Sequence, residues 1–380
     1  MATTHPFVEF KLERMLSTYE NQVEINLSES GVKPMTMREL VAMKGGDVEA
    51  ELAALADVGL NYPHANGDPE LRAAIAHWYP GATVDNVLVT VGAIQANYTS
   101  LVTVTELGDA IAVMQPNYQQ FWGLAQNLGR ELSTFSLKKQ RGWALDLDEL
   151  QDVVGPQTRF LAVVNPNNPT GRVLRDNERA AIVAAAERTG AWLLADEVYA
   201  GAERVSDELT PTFYGEYENV LAIGSTSKAY GLPGLRIGWV VGPADAIARM
   251  WAWQDYITIC TTCLGNKLAA IALSPDVRPQ IIERTRGYVR RGFENVARWA
   301  ARRDDVEVLV PEAAAICFVR YARKIGSTEF VMRLLREKSA FVAPGDLFGL
   351  DGHLRVSFGL PDDYVDEGLR RIGELLDEVD

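Results

Sequence analysis

Seven short runs of apolar and β-branched residues recur in the central part of the chain. They lie at residues 87–91, 110–114, 132–136, 160–164, 191–195, 220–224 and 237–241. Several are continuous rather than alternating, which is typical of strands buried on both faces of a parallel sheet. Helical segments separate most of the runs, and one of them has a candidate cap at Asp176 and a terminating glycine at Gly190. The pattern predicts an α/β domain with three αβα layers around a seven-stranded, mostly parallel sheet.

The pattern changes after Pro279, where apolar positions repeat at helical spacing in a long arginine-rich stretch. The arginines of this helix are expected to face solvent. Apolar runs then follow at 306–310, 316–320 and 353–358. This mixture of strands and helices predicts a second, smaller α+β domain. The predicted parts of the chain are an N-terminal segment (1–45), a large domain (46–265) and a small C-terminal domain (266–380).

Composition and charge narrow the class of protein. The chain has 380 residues, with 37 Lys+Arg against 51 Asp+Glu and a formal net charge of -14. Because such a surface repels polyanions, we expect neither a nucleic acid nor a membrane as partner. The sequence shows no signal-peptide pattern and no apolar run near the ~18 residues that a membrane span needs. Three cysteines are too few for a disulfide framework, so the prediction is a cytoplasmic globular protein.

The histidines and cysteines show no metal-binding pattern. The four histidines, His5, His64, His77 and His353, are scattered along the chain. His64 is interpreted as a hydrogen-bonded loop residue. Cys260 and Cys263 form a C-x-x-C motif without a second pair, and we interpret them as loop and helix-start residues. No metal site is predicted.

Polar or glycine-rich segments follow four of the predicted strands, where ligands bind in open α/β sheets. They are Gly92-Ala93-Ile94, the loop 165–171 with Asn168, the pair Asp196-Glu197, and Ser225-Thr226-Ser227-Lys228 followed by Arg236. The acidic pair resembles a nucleotide-hydrolysis element, but the chain has no P-loop motif to accompany it. Hydroxyls, amides and a guanidinium beside a lysine form an anion cage next to an amine. With an acid at a neighbouring strand end, these groups meet the requirements of a pyridoxal phosphate Schiff base.

Three segments, taken in order, resemble one known family. They are NPNNPTG (165–171), ADEVYA (195–200) and STSKAYGLPGLRIGW (225–239). They are similar to the fold-type I pyridoxal-phosphate enzymes of the class I/II aminotransferase family, and the resemblance extends from Tyr62 to Gly359. It implies that pyridoxal 5'-phosphate is the cofactor and that the substrate is a small molecule, an amino acid.

The resemblance implies a role for each matching residue, with Lys228, Asp196 and Tyr199 as the catalytic set. Lys228 would hold the cofactor as a Schiff base and then move the Cα proton of the substrate. Asp196 would keep the pyridine nitrogen protonated, so that the ring accepts electrons from Cα. The other implied cofactor contacts are Asn168 and Tyr199 at the ring hydroxyl, Tyr118 on the ring face, and Ala93, Ile94, Ser225, Ser227 and Arg236 around the phosphate.

The same resemblance implies the substrate contacts and the oligomeric state. Arg355 matches the arginine that binds the substrate α-carboxylate with two hydrogen bonds. Asn168 and Gly31 are further implied substrate contacts. Tyr62 is similar to a tyrosine that reaches the phosphate of the neighbouring subunit, which implies a homodimer with shared active sites.

The N-terminal segment is predicted to cover the active site and to join the small domain. It contains L-E-x-x-L at 12–16 and S-x-S-G-V at 28–32, and a further pattern, Asp255-Tyr256 followed by several threonines, lies later in the chain. Together these patterns resemble the pyridoxal-phosphate enzymes that act on L-arginine, namely capreomycidine synthases and oxygen-using arginine oxidases and hydroxylases. Capreomycidine synthase has a histidine where this chain has Lys33, so the proton-transfer role of that histidine is not carried over.

A guanidinium substrate requires carboxylates at the mouth of the site. The N-terminal segment supplies Glu9, Glu13, Glu20, Glu24 and Glu29. Of these, Glu13 and Glu29 are the predicted substrate contacts.

Three reactions follow from these interpretations. The favoured one forms a quinonoid from L-arginine, reacts with molecular oxygen, and releases peroxide with a hydroxylated or dehydro 2-keto acid. The alternatives are an ordinary aminotransferase for a polar amino acid and a cyclase or lyase for an arginine derivative. A regulator that senses pyridoxal phosphate would need a DNA-binding extension, for which the chain has no room.

Overall fold

The computed structural model of the chain describes residues 6–380. Its α-helices are α1 (Lys11–Tyr19), α2 (Met37–Lys44), α3 (Val48–Ala56), α4 (Pro69–Ala76), α5 (Gly92–Val104), α6 (Gln120–Asn127), α7 (Leu147–Val153), α8 (Asp176–Thr189), α9 (Ala244–Gln254), α10 (Cys263–Leu273), α11 (Arg278–Ala300), α12 (Ser327–Lys338) and α13 (Asp362–Glu378). Short 3-10 helices lie at Val84–Asn86, Lys139–Arg141, Pro233–Leu235 and Gly345–Phe348.

The strands are short and alternate with the helices along much of the chain. They are β1 (Ile25–Asn26), β2 (Val87–Val91), β3 (Ala110–Gln115), β4 (Glu131–Lys138), β5 (Ala144–Leu145), β6 (Thr158–Val164), β7 (Trp192–Asp196), β8 (Val220–Ser225), β9 (Ile237–Val241), β10 (Val306–Val308), β11 (Ile316–Tyr321), β12 (Ala340–Phe341), β13 (Ala343–Pro344) and β14 (His353–Ser357). All seven predicted central runs are strands.

One large sheet has the strand order β2-β9-β8-β7-β6-β3-β4-β5. Strands β3, β4, β6, β7 and β8 are parallel to one another, whereas β9 is antiparallel to both of its neighbours. At the edge, β5 pairs antiparallel with β4. The mostly parallel sheet is therefore confirmed, with one strand more than predicted. The extra strand, β5, has only two residues, which is too short to produce a recognisable hydrophobic period.

Helices cover both faces of this sheet. Leu161 of β6 packs in one core with Ile182 of α8, while the next residue, Ala162, packs in another core with Leu101 of α5. Because successive side chains of a strand point to opposite faces, a strand covered on both sides is apolar at every position. The continuous apolar runs are explained in this way, and the three-layer αβα arrangement is confirmed.

The C-terminal part contains a second sheet, antiparallel throughout, with the order β10-β11-β14-β13. Helices α11, α12 and α13 share a hydrophobic core with it. In the N-terminal segment, β1 pairs in parallel with β12. The smaller α+β domain is confirmed, and the exact division at 1–45, 46–265 and 266–380 stays a prediction.

Helix α8 ends where the sequence predicts and begins differently. Gly190 has a φ of 67°, the left-handed conformation in which glycine ends helices. Asp176 is the first helical residue rather than the cap. The cap is Arg175, whose backbone N–H donates to the Glu178 carboxylate at 2.7 Å.

Two arginines of α11 are buried, so the expectation that its arginines face solvent is wrong at these positions. The Arg286 guanidinium pairs with the buried carboxylate of Glu203 at 2.8 Å. Arg278 donates to the Tyr230 hydroxyl at 2.7 Å and lies over the ring of Trp78. These partners offset part of the cost of removing each guanidinium from water.

Between residues 6 and 380, no helix combines the length and apolar character needed to cross a membrane. The same residues contain no group of three His, Cys, Asp or Glu side chains that could hold a metal ion. His5 lies outside the described residues. Cys260 and Cys263 are free, and Cys263 begins α10 after Thr262, which caps that helix.

Candidate active site

A cavity of about 290 Å³ opens at the carboxyl-terminal edge of the large sheet. Strands β2, β3, β6, β7 and β8 run in one direction and all end at this edge. The cavity is lined by Glu13, Glu29, Ala93, Ile94, Tyr118, Asn168, Asp196, Tyr199, Ser225, Ser227, Lys228, Arg236 and Arg355. These are all but two of the residues to which the sequence assigns a site role. Distant parts of the chain therefore meet because parallel strands end together.

Tyr62 and Gly31 are the two predicted residues that do not line the cavity. The Tyr62 side chain is 84% exposed. Gly31 packs against the backbone of the lysine loop, where a Cβ would lie 3.3 Å from the carbonyl oxygen of Ser227. The role of Tyr62 toward a neighbouring subunit stays a prediction. Gly31 supports the cavity wall from behind.

The Lys228 amine enters the cavity from the loop that follows β8. Burial and the positive charge of Arg355 lower the pKa of Lys228, and the carboxylates of Glu13 and Glu29 oppose this shift. A lowered pKa increases the fraction of neutral amine. The neutral amine is the form that attacks a carbonyl and later accepts a proton.

Asp196, the last residue of β7, presents a buried carboxylate to the same cavity. The Val198 backbone N–H donates to its Oδ1 at 3.2 Å, and Asn97 Nδ2 donates to its Oδ2 at 3.0 Å. Burial raises the pKa of Asp196 to about 6 against these hydrogen bonds and the charge of Lys228. A cationic N–H in the cavity would stabilise the carboxylate, which is the contact that a protonated pyridine nitrogen supplies.

The N-terminus of α5 and Arg236 form a cradle for an anion. Gly92 has a φ of 73°, and a Cβ there would lie 2.5 Å from the Arg236 guanidinium. A Cβ at Gly238 would lie 2.4 Å from the backbone nitrogen of Ala93. The two glycines therefore let guanidinium, strand and helix start approach closely. Because the first N–H groups of a helix lack helical acceptors, a phosphate group fits here.

Arg355 and Asn168 form a fixed donor pair on another wall. Arg355 Nη1 donates to Asn168 Oδ1 at 3.0 Å, and Nη2 donates to the Ser28 carbonyl at 2.5 Å. Within residues 6–380, the buried Nε of Arg355 has no hydrogen-bond partner. Since a guanidinium only donates, Asn168 must turn its oxygen to Arg355 and keeps its NH₂ group for the cavity. The unsatisfied donor suits the carboxylate of a substrate.

Tyr118 connects the cavity with α1. Its ring packs against Phe10 at a centroid distance of 4.9 Å, and its hydroxyl donates to Glu13 Oε1 at 2.5 Å. Burial, followed by the charge of Glu13, raises the pKa of Tyr118 well above its usual value. The phenol therefore stays protonated, and one of the two Glu13 oxygens is occupied by it.

Three carboxylates from the N-terminal segment, Glu13, Glu20 and Glu29, line one side of the cavity. We call this group the carboxylate wall. Burial and the negative charges of Glu29 and Glu13 raise the pKa of Glu20. Neighbouring like charges that destabilise one another are stabilised when a cation binds between them.

Four polar lining residues had no predicted role. Asn97 holds Asp196 and also donates to Gln120 Oε1 at 3.1 Å. Ser30 accepts a hydrogen bond from Tyr199, and Glu20 completes the carboxylate wall. Asn97 and Gln120 lie in helices whose hydrophobic pattern does not reveal polar contacts across the sheet edge. The sequence contained a signal only for Ser30, which lies inside the S-x-S-G-V motif.

A lysine amine of lowered pKa, a buried carboxylate and an anion cradle around one cavity match the requirements of a pyridoxal-phosphate site on a fold-type I scaffold. The sequence model of the family described as aminotransferase class I and II matches residues 39–372. The chain belongs to this family, and its cofactor is pyridoxal 5'-phosphate. The fold-type I resemblance is thereby confirmed.

Individual relatives differ in the reactions that their names describe. Capreomycidine synthase of Streptomyces vinaceus is 30% identical over 372 residues, which cover 96% of this chain and 93% of that protein. A PLP-dependent aminotransferase from Streptococcus suis 89-1591 has a TM-score of 0.92 at 28% identity and covers 99% of both chains. The PLP-dependent cyclase OrfR has a TM-score of 0.87 at 25% identity, over 99% of this chain and 100% of that one.

Proposed function

We propose that this pyridoxal-phosphate enzyme acts on L-arginine and oxidises it with molecular oxygen. The observation that carries the choice of substrate is the carboxylate wall in the same cavity as Arg355. A cavity lined by one buried guanidinium and three carboxylates suits a molecule that carries both a carboxylate and a cation. L-Arginine has this charge distribution.

The carboxylates of the wall differ in whether their oxygens already accept a hydrogen bond from the protein. Glu20 and Glu29 make no side-chain hydrogen bond to any of residues 6–380, whereas Glu13 shares one oxygen with Tyr118. A planar guanidinium binds carboxylates with parallel hydrogen bonds, so Glu20 and Glu29 supply its main acceptors. Glu13 contributes its remaining oxygen.

The other two candidate acidic residues of the segment are occupied elsewhere. Glu9 pairs with Arg14 at 3.3 Å, and Glu24 pairs with Arg371 at 2.7 Å. Neither residue lines the cavity. They provide matched control positions for substitutions in the wall.

The remaining residues of the site have complementary tasks. Pyridoxal phosphate, when bound, supplies an electron sink for the bonding electrons of Cα. Arg355 holds the substrate carboxylate and so fixes the orientation of Cα, while Lys228 accepts the Cα proton as a neutral amine. Asp196 balances positive charge on the pyridine nitrogen, and Asn168 donates its amide N–H into the cavity.

The proposed net oxidation has a defined balance. One amino acid, one O₂ and one water give a 2-keto acid, ammonia and hydrogen peroxide, because two electrons and two protons pass to O₂. Formation of a double bond in the side chain removes two further electrons from the substrate. These electrons reduce a second O₂ to peroxide. Addition of water to that double bond gives the hydroxylated product without further oxidant. The resemblance of the N-terminal segment to arginine oxidases and hydroxylases supports this reaction.

An ordinary aminotransferase is the second candidate, favoured by the high TM-score with the Streptococcus suis aminotransferase. A cyclase or lyase for an arginine derivative is the third, favoured by the matches to capreomycidine synthase and OrfR. All three reactions begin with removal of the Cα proton. They are therefore distinguished by their co-substrates and products.

The test is to incubate the purified holoenzyme with L-arginine, L-lysine, L-citrulline and L-aspartate, under air and under nitrogen. Oxygen uptake, peroxide and keto acid are measured with and without an added 2-keto acid. The proposal expects oxygen uptake with L-arginine alone, at two O₂ per hydroxylated or dehydro product. Keto acid that requires an acceptor and forms equally under nitrogen would identify an aminotransferase. A β-hydroxylated arginine is tested as a further substrate, because its cyclisation with loss of water needs neither O₂ nor an acceptor, and a cyclic product formed from it in this way would identify a cyclase.

We also propose that the protein is a homodimer in which Tyr62 completes the phosphate cradle of the partner. Tyr62 and Tyr256 are strongly exposed, at 84% and 88%, which suits residues covered by a second copy. The test mixes Lys228→Ala, which lacks the amine, with Tyr62→Ala, which lacks the whole side chain, under conditions of subunit exchange, after the residual activity of each variant alone has been measured and subtracted. Recovery of about one quarter of the activity supports shared sites, because half of the protomers are in mixed dimers and one site in each is intact.

A further inference from the structure

The segment 27–35 crosses the cavity wall in a fixed position. The Leu27 backbone N–H donates to the Phe341 carbonyl at 2.8 Å, and the Lys33 N–H donates to the Gly359 carbonyl at 2.7 Å. Between these anchors, the Ser28 carbonyl accepts from Arg355. We call residues 27–35 the crossing segment. Its backbone is held at both ends, so the side chains between them have defined positions.

The centre of the crossing segment lies directly on the lysine loop. The Val32 N–H donates to the Lys228 carbonyl at 3.4 Å. A Cβ at Gly31 would lie 3.3 Å from the Ser227 carbonyl oxygen and 3.6 Å from that of Lys228. This close approach brings the preceding residue, Ser30, into the lining of the cavity.

Ser30 and Tyr199 form a buried hydroxyl pair. Tyr199 Oη lies 3.0 Å from Ser30 Oγ, and the two side chains are only 3% and 4% exposed. Among residues 6–380, Tyr199 is the one hydrogen-bond partner of Ser30 Oγ. Only one proton can lie between two hydroxyl oxygens. A phenol is a stronger donor than an alkyl alcohol, so the Tyr199 proton lies between the oxygens and the Ser30 proton is left for the cavity.

We propose that Ser30 is a positioning residue that accepts the Tyr199 phenol proton and so prevents Tyr199 from donating fully to the cofactor. The proposal rests on the assignment of this cavity as the cofactor site and on the role of Tyr199 at the ring hydroxyl. It does not depend on the identity of the amino acid substrate. With Tyr199 engaged, the Asn168 amide is the main protein donor to the ring hydroxyl.

The consequence is electrostatic. A donor to the ring oxygen stabilises its anionic form and weakens its attraction for the nearby proton at the lysine-linked nitrogen. By accepting the Tyr199 proton, Ser30 weakens this stabilisation of the ring oxygen. The proton at the lysine-linked nitrogen is then retained to higher pH. Removal of the Ser30 hydroxyl releases Tyr199 to donate to the cofactor, and the proton then leaves at lower pH.

The experiment is a spectroscopic pH titration of the holoenzyme without substrate, following the visible absorbance of the bound cofactor. Ser30→Ala is expected to lower the titration midpoint by about one unit, the effect of one hydrogen bond to a charged group. Ser30→Thr retains the hydroxyl and should titrate like wild type. In the Tyr199→Phe background, Ser30→Ala should produce no further shift, because the phenol on which it acts is missing.

Other charged groups remain the same in every comparison. The charged and titratable groups near Tyr199 are Arg355, Asp196, Glu13 and Tyr118. Those near Lys228 are Arg355, Glu13, Glu29, Arg236, Asp196 and Glu20. Ser100→Ala is the matched control, because Ser100 is a buried serine of α5 whose Oγ has no partner among the described residues. Ser30→Cys, with its weaker acceptor, provides a second variant if Ser30→Ala fails to fold.

Each outcome decides the proposal. A downward shift that disappears in the Tyr199→Phe background supports it. No shift, an upward shift, or the same shift without the phenol would overturn it. The assignment of the site is tested separately by reduction with borohydride: if the label is found on Lys228 while Ser30→Ala leaves the midpoint unchanged, the cofactor site stands and the role of Ser30 is wrong.

Discussion

The cofactor side of the cavity and the carboxylate wall differ in whether their polar groups already have hydrogen-bond partners. On the cofactor side, Asp196 is held by two hydrogen-bond donors and Asn168 is fixed by Arg355. On the carboxylate wall, Glu20 and Glu29 have no side-chain hydrogen bond to any residue in the described range. The cofactor is the same in every turnover, so its contacts can be satisfied in advance. The substrate supplies the missing charge of the wall only while it is bound.

Lys228→Ala is the largest expected loss and tests the cofactor side. The variant should have no measurable turnover, because no other amine among the lining residues can hold the cofactor or accept the Cα proton. Borohydride reduction of the wild type should fix the cofactor to Lys228. Mass spectrometry would contradict the assignment if it found the label on another lysine. Lys33→Ala is the control, since Lys33 does not line the cavity.

Asp196→Asn should lower turnover on the order of 10²–10³-fold while the cofactor stays bound. The amide keeps the shape of the side chain, but its single oxygen can accept from only one of the two donors, Asn97 and Val198. It also cannot balance a positive charge on the pyridine nitrogen. Turnover and cofactor content are measured on the same sample. Asn97→Asp is a useful partner variant, because a second carboxylate beside Asp196 should raise its pKa further. Wild-type turnover in Asp196→Asn would remove Asp196 from this role.

The two sides also differ in how far the sequence predicted them. Asn168, Asp196 and Lys228 each follow a predicted strand, and parallel strands end at one edge, so their proximity follows from the topology. Glu20 lies at the end of α1, which enters the cavity only through tertiary packing of the N-terminal segment. The five candidate glutamates of that segment gave no signal that would separate the members of the carboxylate wall from residues paired outside the cavity. The role of Asn97 was not predicted for a related reason, because Asn97 lies in a helix and its hydrogen-bond partner Asp196 lies at the end of a strand.

The same distinction applies to the fold: features with a local sequence pattern were predicted, and features that depend on tertiary contacts were not. All seven long strands of the large sheet produce a hydrophobic pattern of their own, whereas the two-residue strand β5 of that sheet exists only through its pairing with β4. Arg286 in α11 was expected on the surface, because helical periodicity cannot show that Glu203 arrives from another part of the chain. Elements that depend on a distant partner are the ones that a single sequence does not reveal.

Arg355→Lys tests whether Arg355 binds the α-carboxylate, which all amino acid substrates share. A lysine retains the charge but loses the second parallel hydrogen bond, so KM should rise about tenfold for every α-amino acid substrate. The value of kcat should change much less, because the lost contact is present in both the ground and the transition state. KM and kcat are measured for L-arginine and for one neutral substrate. A loss confined to L-arginine would instead assign Arg355 to the side chain.

Glu20→Gln is the smallest expected effect and the sharpest test of the difference between the two sides. The substitution removes one charge from the wall without changing its size, and a half-exposed ion pair near 1 kcal/mol corresponds to a rise of about fivefold in the KM for L-arginine. L-Citrulline is neutral at the same position, so its KM should not rise. The difference in KM between L-citrulline and L-arginine should therefore shrink by a similar factor. Glu24→Gln is the matched control, because Glu24 belongs to the same segment but pairs with Arg371 outside the cavity. If both variants change KM equally, or if Glu20→Gln affects L-arginine and L-citrulline alike, the wall does not recognise the guanidinium and its unpaired carboxylates need another explanation. If only Glu20→Gln acts, and only on the cationic substrate, the wall is the part of the cavity that selects the side chain.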